Sequence, residues 1–208
     1  MKNDVEISKI NSKDLDLIAK LWINSFDYNF YSLLGKKITI DYLKMIMSHE
    51  GNYIFKITRD NIIRGFVIYA NDKIINKKLI KKNIFMIFFV LSKMFFSLKI
   101  FKILFILKMI LYIFKKDNHN FKIQYEIELV VICINKLERD LGLGNKLFKY
   151  TINEIFKNTK INKIYTKTAF PSLKTEIFYF NSGFKFLKKT FYGKWQILLL
   201  EKKEYEAN

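Results

Sequence analysis

Along the 208 residues the period of the apolar positions changes several times, and each change marks a structural element. Val5–Ile10 alternates apolar and polar residues as a short strand does. Asn11 and Ser12 then offer an N-cap to a helix whose apolar positions Leu15, Ile18, Leu21, Trp22 and Phe26 recur every three to four residues. Residues 27–37 read as an aromatic-rich connector. Thr39, Tyr42, Leu43, Ile46 and Met47 predict a second helix that stops at Gly51. The β-rich runs 52–58 and 62–70, separated by the turn residues Arg59, Asp60 and Asn61, predict a hairpin.

The pattern changes again at residues 77–120. Ile84–Phe114 is intensely apolar, but Lys93, Lys99, Lys102 and Lys108 interrupt it, and its longest uncharged run, Ile84–Ser92, is nine residues. That is too short for a single spanning helix. At 100° per residue the four lysines point in widely different directions, so the segment is not cleanly amphipathic. It predicts two helices, or one bent helix, inserted into the domain. One reading packs this insertion on the domain with lysine stems snorkelling outward. The other gives 84–114 a peripheral contact with a membrane surface or a hydrophobic partner.

Residues 122–134 predict a long strand. Strict alternation puts Ile123, Tyr125, Ile127, Leu129, Val131 and Cys133 on one face, and Glu126, Glu128, Val130, Ile132 and Ile134 on the other. Leu147, Phe148, Ile152, Ile155 and Phe156 form the buried stripe of a following helix, and 161–168 is the next strand. Pro171 suits the first turn of a helix that Gly183 closes, before two last strands at 184–190 and 194–200. Strand, loop, helix and strand from 122 to 168 predict a right-handed crossover in a mixed sheet.

Composition narrows the class. No Pro-, Gly- or Ser-rich linker divides the chain, which reads as one domain over 1–208. A net charge of +18 invites a nucleic-acid reading. The basic residues, however, are 34 lysines and only three arginines, and no nucleic-acid-binding motif accompanies them, which argues against that partner. The lone Cys133 excludes an intramolecular disulfide and reads as a small core hydrophobe. Met1–Ile10 does not resemble a secretory signal, so a cytoplasmic location is expected, with membrane association through 84–114 as the alternative. The two histidines, His49 and His119, cluster with no third ligand and read as surface residues; no metal is expected.

Between the long strand and its helix lies Arg139-Asp140-Leu141-Gly142-Leu143-Gly144. Glycines at the mouth of a helix let backbone approach an anion closely, and the first-turn amides point at it with the positive end of the helix dipole. This hexapeptide resembles the Arg/Gln-x-x-Gly-x-Gly/Ala signature of the GNAT superfamily of acetyl-CoA-dependent N-acetyltransferases through Arg139, Gly142 and Gly144. A second block, Ile177–Phe184, resembles the family's Tyr-x-x-x-Gly-Phe helix end through Tyr179, Gly183 and Phe184. The order of elements fits the family over nearly the whole chain, with 77–120 as an insertion between the third and fourth strands. The resemblance implies an α/β fold with a mixed, mostly antiparallel central sheet flanked by helices.

It also implies that backbone amides of Arg139, Asp140, Leu141, Gly142, Leu143, Gly144 and Asn145 hold the CoA pyrophosphate. Ile132, Cys133 and Ile134 would pair with the pantetheine arm. Ser172 stands where the family often has Asn and is the less regular cofactor contact; Thr175 stands where it often has Ala. A bulky residue at Gly142 or Gly144 is expected to block binding. For the chemistry, a primary amine is mostly ammonium at neutral pH and must lose a proton before its nitrogen attacks a thioester. Glu126 and Glu128 are the candidate bases. Glu128 falls where several family members carry one, and burial would raise its pKa toward the working range; the competing reading pairs it with a lysine. The oxyanion would meet a strand amide near Ile132–Ile134. Tyr179 resembles the family's general acid for the departing thiolate, with a core aromatic as the alternative.

Asp27, Tyr28 and Tyr31 of the connector, with Tyr192 and Trp195 of the last hairpin, are the candidate walls of an acceptor pocket. The expected acceptor is a small-molecule amine such as an amino-sugar nucleotide or a lipid-linked sugar. Acetylation of a protein N-terminus or lysine, and a non-catalytic acetyl-CoA-binding or membrane-associated protein, are the alternatives. A monomer and a homodimer are both compatible with the sequence.

Overall fold

The computed structural model describes residues 5–114, 126–169, 173–190 and 195–205. Strand β1 (Val5–Lys9) leads through a 3₁₀ turn, Ser12–Asp14, into helices α1 (Leu15–Ser25), α2 (Phe30–Leu34) and α3 (Lys36–Met47). Strands β2 (Tyr53–Arg59) and β3 (Ile62–Ala70) form the hairpin. Helices α4 (Asp72–Lys82), α5 (Ile84–Phe96) and α6 (Ile100–Phe114) follow, and then β4 (Glu126–Ile134). The chain continues through α7 (Leu143–Asn158), β5 (Lys163–Ala169), α8 (Leu173–Asn181), β6 (Lys185–Thr190) and β7 (Trp195–Glu201), closing with a short helix, Lys202–Tyr205.

The seven strands form one sheet in the order β1-β2-β3-β4-β5-β7-β6. Every neighbouring pair is antiparallel except β4 with β5, where α7 supplies the crossover that a parallel pair needs. One face of the sheet is covered by α1 to α6, through Leu15, Ile18, Trp22, Tyr42, Leu43, Ile46, Leu79 and Ile106 packed on Phe66 and Ile68. The other is covered by α7 and α8, through Leu147, Phe148, Ile152, Ile155 and Tyr179 packed on Val67, Tyr69 and Leu198. The predicted stripe of α7 is wholly buried.

Three elements differ from the sequence-based expectation. The connector contains a helix of its own, α2, capped by Asn29, and α3 begins at Lys36 rather than Thr39. The insertion begins at Asp72 with a helix of its own, α4, ahead of the two helices, α5 and α6, that 84–114 predicts; its end at 115–120 lies outside the described residues, as do 122–125 of the predicted long strand. The third difference is in β4. Ile127 and Leu129 join the core under α7, whereas Val131 and Cys133 join the core under α1 to α6. The single face predicted for these four residues is split by a β-bulge, where the register between β3 and β4 slips at Ile68/Tyr69 and Val130 is the extra residue. One extra residue reverses the alternation beyond it and bends the strand.

That bend has a consequence on the other edge. β4 pairs with β5 only over Glu126–Leu129 against Lys163–Thr166, while β5 stays paired with β7 along its whole length. Past Leu129 the sheet therefore divides, and Val130–Ile134 presents an edge with no strand beside it among the described residues. At the fork the Thr166 hydroxyl donates to the Leu129 carbonyl at 3.0 Å, closing the ladder with a side chain.

Gly65, which the sequence did not single out, sits where β3 crosses the end of β4. A Cβ there would lie 2.7 Å from the Cys133 carbonyl oxygen and 2.4 Å from Ile134 Cδ1. Gly65→Ala is expected to lose about 1–3 kcal/mol of stability, as overpacked cores do. Chemical denaturation checks this, and an unchanged midpoint contradicts the close approach.

Candidate active site

At the end of β4 the chain turns through Asn135, whose side chain accepts from the Leu137 amide, into a single 3₁₀ turn, Lys136–Glu138. Asp140 and Gly142 then take positive φ of 67° and 74°. Two left-handed positions so close together curl the loop back onto the start of α7. Gly142 occupies the N-cap position of α7 and, having no side chain, provides no cap; the Lys146 amide is the first to bond back to Gly142, at 3.0 Å. The amides of Leu143, Gly144 and Asn145 are thus left for an anion or water. Arg139 is exposed, and its Nε donates to the Ile134 carbonyl at 3.4 Å.

The loop is fixed by a buried charge. Glu138 is 4% exposed, and its carboxylate meets Arg59 of β2 at 2.7 Å and Arg64 of β3 at 3.4 Å. Two of the three arginines in the chain are spent on this clamp. Sequence reasoning took Arg59 for a turn residue and passed over Glu138, because the partners are 79 positions apart.

Glycine is needed at the two motif positions for different reasons. At Gly142 nothing lies within 4 Å of the place a Cβ would take, so its requirement comes from the positive φ alone. At Gly144 a Cβ would lie 3.6 Å from Ile134 and 3.9 Å from Phe178, ordinary contacts that the fold tolerates. A need for glycine at 144 would therefore arise from what binds in front of it.

Tyr179 is 6% exposed. Its helix ends in a Schellman motif: Gly183, at φ 88°, donates to the Phe180 carbonyl, and Phe184 donates to the Tyr179 carbonyl, both at 3.0 Å. The rings of Tyr179 and Phe184 meet edge to face, 5.2 Å apart. The Tyr-x-x-x-Gly-Phe spacing is thus the spacing of a helix stop, and it fixes the tyrosine ring. Burial pushes the Tyr179 phenol up to about 12, a side-chain hydrogen bond with Thr166 pulling the other way. Thr166 is the residue at the fork, so the Tyr179 hydroxyl lies where β4 and β5 part.

Glu128 and Glu126 share a strand face, as predicted. Glu128 accepts from Lys167 Nζ at 2.8 Å, with side chains 13% and 17% exposed, and Glu126 accepts from the Tyr165 hydroxyl at 3.4 Å. The competing reading of Glu128, a carboxylate paired with lysine, describes this geometry. Lys167 was not singled out from the sequence. The Cys133 side chain is buried, and burial pushes its thiol up to about 11 against a hydrogen bond with Ser25, so it serves the core and not as a nucleophile.

The acceptor candidates separate. Asp27 is exposed. Tyr28 is 65% exposed, with Lys102 of α6 5.4 Å from its ring centroid. Tyr31 belongs elsewhere. It is buried, its hydroxyl donates to Asn76, and its ring packs 5.0 Å from Trp22 and 4.1 Å from Tyr42. The turn of α2 carries it into the core. Ser172, Tyr192 and His119 lie outside the described residues, as does the side chain of Trp195. His49 is half-buried, with Nδ1 3.0 Å from the Met45 carbonyl. Among the described residues no three His, Cys, Asp or Glu side chains converge as a metal site would require.

A cavity of about 360 Å³, lined by His49, Asn52, Asn71, Glu126, Thr159 and Ile161 among others, opens at the opposite end of β4. Eight strand steps separate Glu126 from Ile134, about 26 Å. It is therefore well separated from the loop, whereas Glu126 and Ile127 in its lining lie only about 7–10 Å along the strand from Leu129 at the fork.

No protein-family model matches the sequence. No curated protein matches it either. Solved structures do match in fold. A Desulfovibrio desulfuricans protein assigned to the GNAT family of acetyltransferases superposes with a TM-score of 0.60 at 14% identity, covering 96% of this chain and 99% of its own. The PaiA N-acetyltransferase of Thermoplasma acidophilum, solved with coenzyme A, gives 0.58 at 13% identity over 95% and 99%. An acetyltransferase of Thermus thermophilus gives 0.56 at 11% identity over 95% and 96%. The chain has the GNAT fold: a mixed, mostly antiparallel sheet that forks between its fourth and fifth strands, with helices on both faces.

A phenol whose native pKa lies above its unfolded value contributes stability that is complete below the unfolded pKa of about 10 and is lost as pH rises toward the native one. The wild-type protein is therefore expected to lose stability between pH 10 and about 12 more steeply than Tyr179→Phe. Denaturation midpoints across that range check this, and parallel curves contradict the burial of the hydroxyl.

Proposed function

We propose that the chain is an acetyl-CoA-dependent N-acetyltransferase acting on a small primary amine. The observation that supports it most is the coincidence, along one strand, of an edge at Val130–Ile134 with no strand beside it among the described residues, a helix start behind Gly142 without a side-chain cap and a tyrosine hydroxyl at the fork. These features suit the parts of one elongated thioester. The amides of Leu143, Gly144 and Asn145, with Arg139, Asp140 and Leu141 around them, would hold the pyrophosphate. The edge at Ile132, Cys133 and Ile134 would bond the amide-bearing arm as a further strand would. Acetyl-CoA brings an activated acyl group whose carbonyl is open to an amine nitrogen.

Each residue then has a definable task. A strand amide at the fork would meet the oxygen as negative charge develops on it. Glu128 would take a proton from the acceptor ammonium. To do so it must exchange Lys167 for the incoming cation, so amine binding and loosening of that pair are one event. Tyr179 keeps its proton at neutral pH, because a phenol near 12 is a weaker acid than a thiol of about 8.5. Its role would be to donate a hydrogen bond to the departing thiolate, with a solvent proton completing the transfer.

The exposed Asp27 and Tyr28 suit a polar or ring-bearing acceptor such as an amino-sugar nucleotide; a protein N-terminus or lysine is the other candidate. One observation favours a second reading. The Glu128–Lys167 pair resembles a structural ion pair, as expected of a domain that binds acetyl-CoA without turnover.

Thiol release from acetyl-CoA, measured against a panel of amines and amino-sugar nucleotides, separates the two. Turnover with at least one acceptor is expected, and tight cofactor binding with no thiol from any of them contradicts the enzyme. Tyr179→Phe is expected to lower turnover about 100-fold or more while cofactor affinity is retained. An unchanged rate removes Tyr179 from the reaction.

A further inference from the structure

Helices α5 and α6 are apolar around most of their circumference, interrupted by Ser92, Lys93, Lys102 and Lys108, but only one side of each meets the core. Ile87 of α5 and Ile106 and Ile113 of α6 are buried against α1 to α4, with Met94, Phe105 and Met109 partly so. The opposite side of α5 carries Phe85, Phe88, Phe89 and Phe96 at helical spacings, exposed by 88%, 70%, 69% and 84%. Phe101, Leu104 and Leu111 repeat the pattern on α6, and Leu98, 83% exposed, stands between the two helices. An apolar surface this continuous is rare on a protein that meets only water. Its charges have one sign. From residue 73 to 114 every charged side chain is a lysine, and Lys93, Lys99 and Lys108 are exposed among the phenylalanines.

We infer that the outer faces of α5 and α6 dock on an anionic lipid bilayer, lying in its interface. Neither helix is long enough to cross: 13 and 15 residues rise about 20 and 22 Å, against about 30 Å of hydrocarbon. No described helix meets the length and hydropathy of a span. Lying flat, the phenylalanines enter the headgroup and acyl boundary, and the lysines snorkel to phosphate level, where each cation adds attraction to an anionic surface. A second copy of this chain is the poorer occupant, because it would set one lysine-only surface against another. This inference goes beyond the acetyltransferase reading and does not rest on it.

Co-sedimentation with vesicles tests it directly. The chain is expected to pellet with phosphatidylcholine vesicles that contain phosphatidylglycerol, to pellet much less with phosphatidylcholine alone, and to be released by added salt. A Phe88→Ser/Phe96→Ser/Phe101→Ser variant should partition at least about tenfold less. Because these side chains lie outside the core, its thermal midpoint should match wild type. Lys93→Glu/Lys99→Glu/Lys108→Glu, which leaves every apolar residue in place, should also lose the anionic-vesicle binding. The inference is overturned if the wild-type chain stays in the supernatant at low salt, or if the serine variant pellets like wild type. It is equally overturned if light scattering without lipid shows a dimer that the serine substitutions dissociate while vesicle binding is absent.

Discussion

The Leu129–Thr166 rung is the last point at which β4 and β5 are one sheet. Up to that rung a parallel ladder satisfies the backbone; beyond it a single extra residue, Val130, has turned β4 away, and the Thr166 hydroxyl supplies the final bond to the Leu129 carbonyl. A bulge usually disturbs one pair of strands. In this chain it lies in a central strand whose other neighbour is held along its whole length by β7, so β5 cannot follow and the two halves part. The cost is a strand edge with no strand beside it among the described residues in the middle of a sheet, the kind of edge an extended chain of amides can add to.

The other parts of the site are placed relative to this fork by anchors of different physical kinds. Behind it, Glu138 ties the loop to the β2–β3 hairpin through two arginines. A carboxylate buried this deeply is held firmly only while its cations remain, since an unpaired buried charge costs several kcal/mol. Beside it, Tyr179 is oriented by a helix stop and by edge-to-face contact with Phe184, which are packing and backbone effects insensitive to salt. The loop amides, the strand edge and the hydroxyl are thus preorganised before any ligand arrives. Glu128 differs from them, because it is engaged with Lys167 and must change partners to act.

Much of this was legible in the sequence where the signal is local. The stripe of α7, the hairpin and the closing Gly183 follow from spacings of one to five residues, and the crossover between β4 and β5 follows from the strand, loop, helix, strand order of 122–168. What was hidden is non-local or leaves no pattern. Val130, Val131 and Ile132 are all apolar, so a slip of one residue among them alters no hydrophobic period although it reverses which core each joins. Helix α2 is five residues long, less than two turns; Tyr31 lies within it and is core, while Tyr28 precedes it and is surface. The Glu138 clamp and the Glu128–Lys167 pair join positions far apart in the chain, and among 34 lysines nothing in the sequence marks Lys167.

Hydrogen exchange with and without coenzyme A measures the central point most directly. If the fork is the binding edge, the ligand should slow exchange at the amides of Val131–Ile134 and of Leu143–Asn145 together, with little change at Asn52, Asn71 or Ile161 around the cavity at the other end of β4. Protection confined to that cavity, or absent from the β4 edge while the loop is protected, would contradict it.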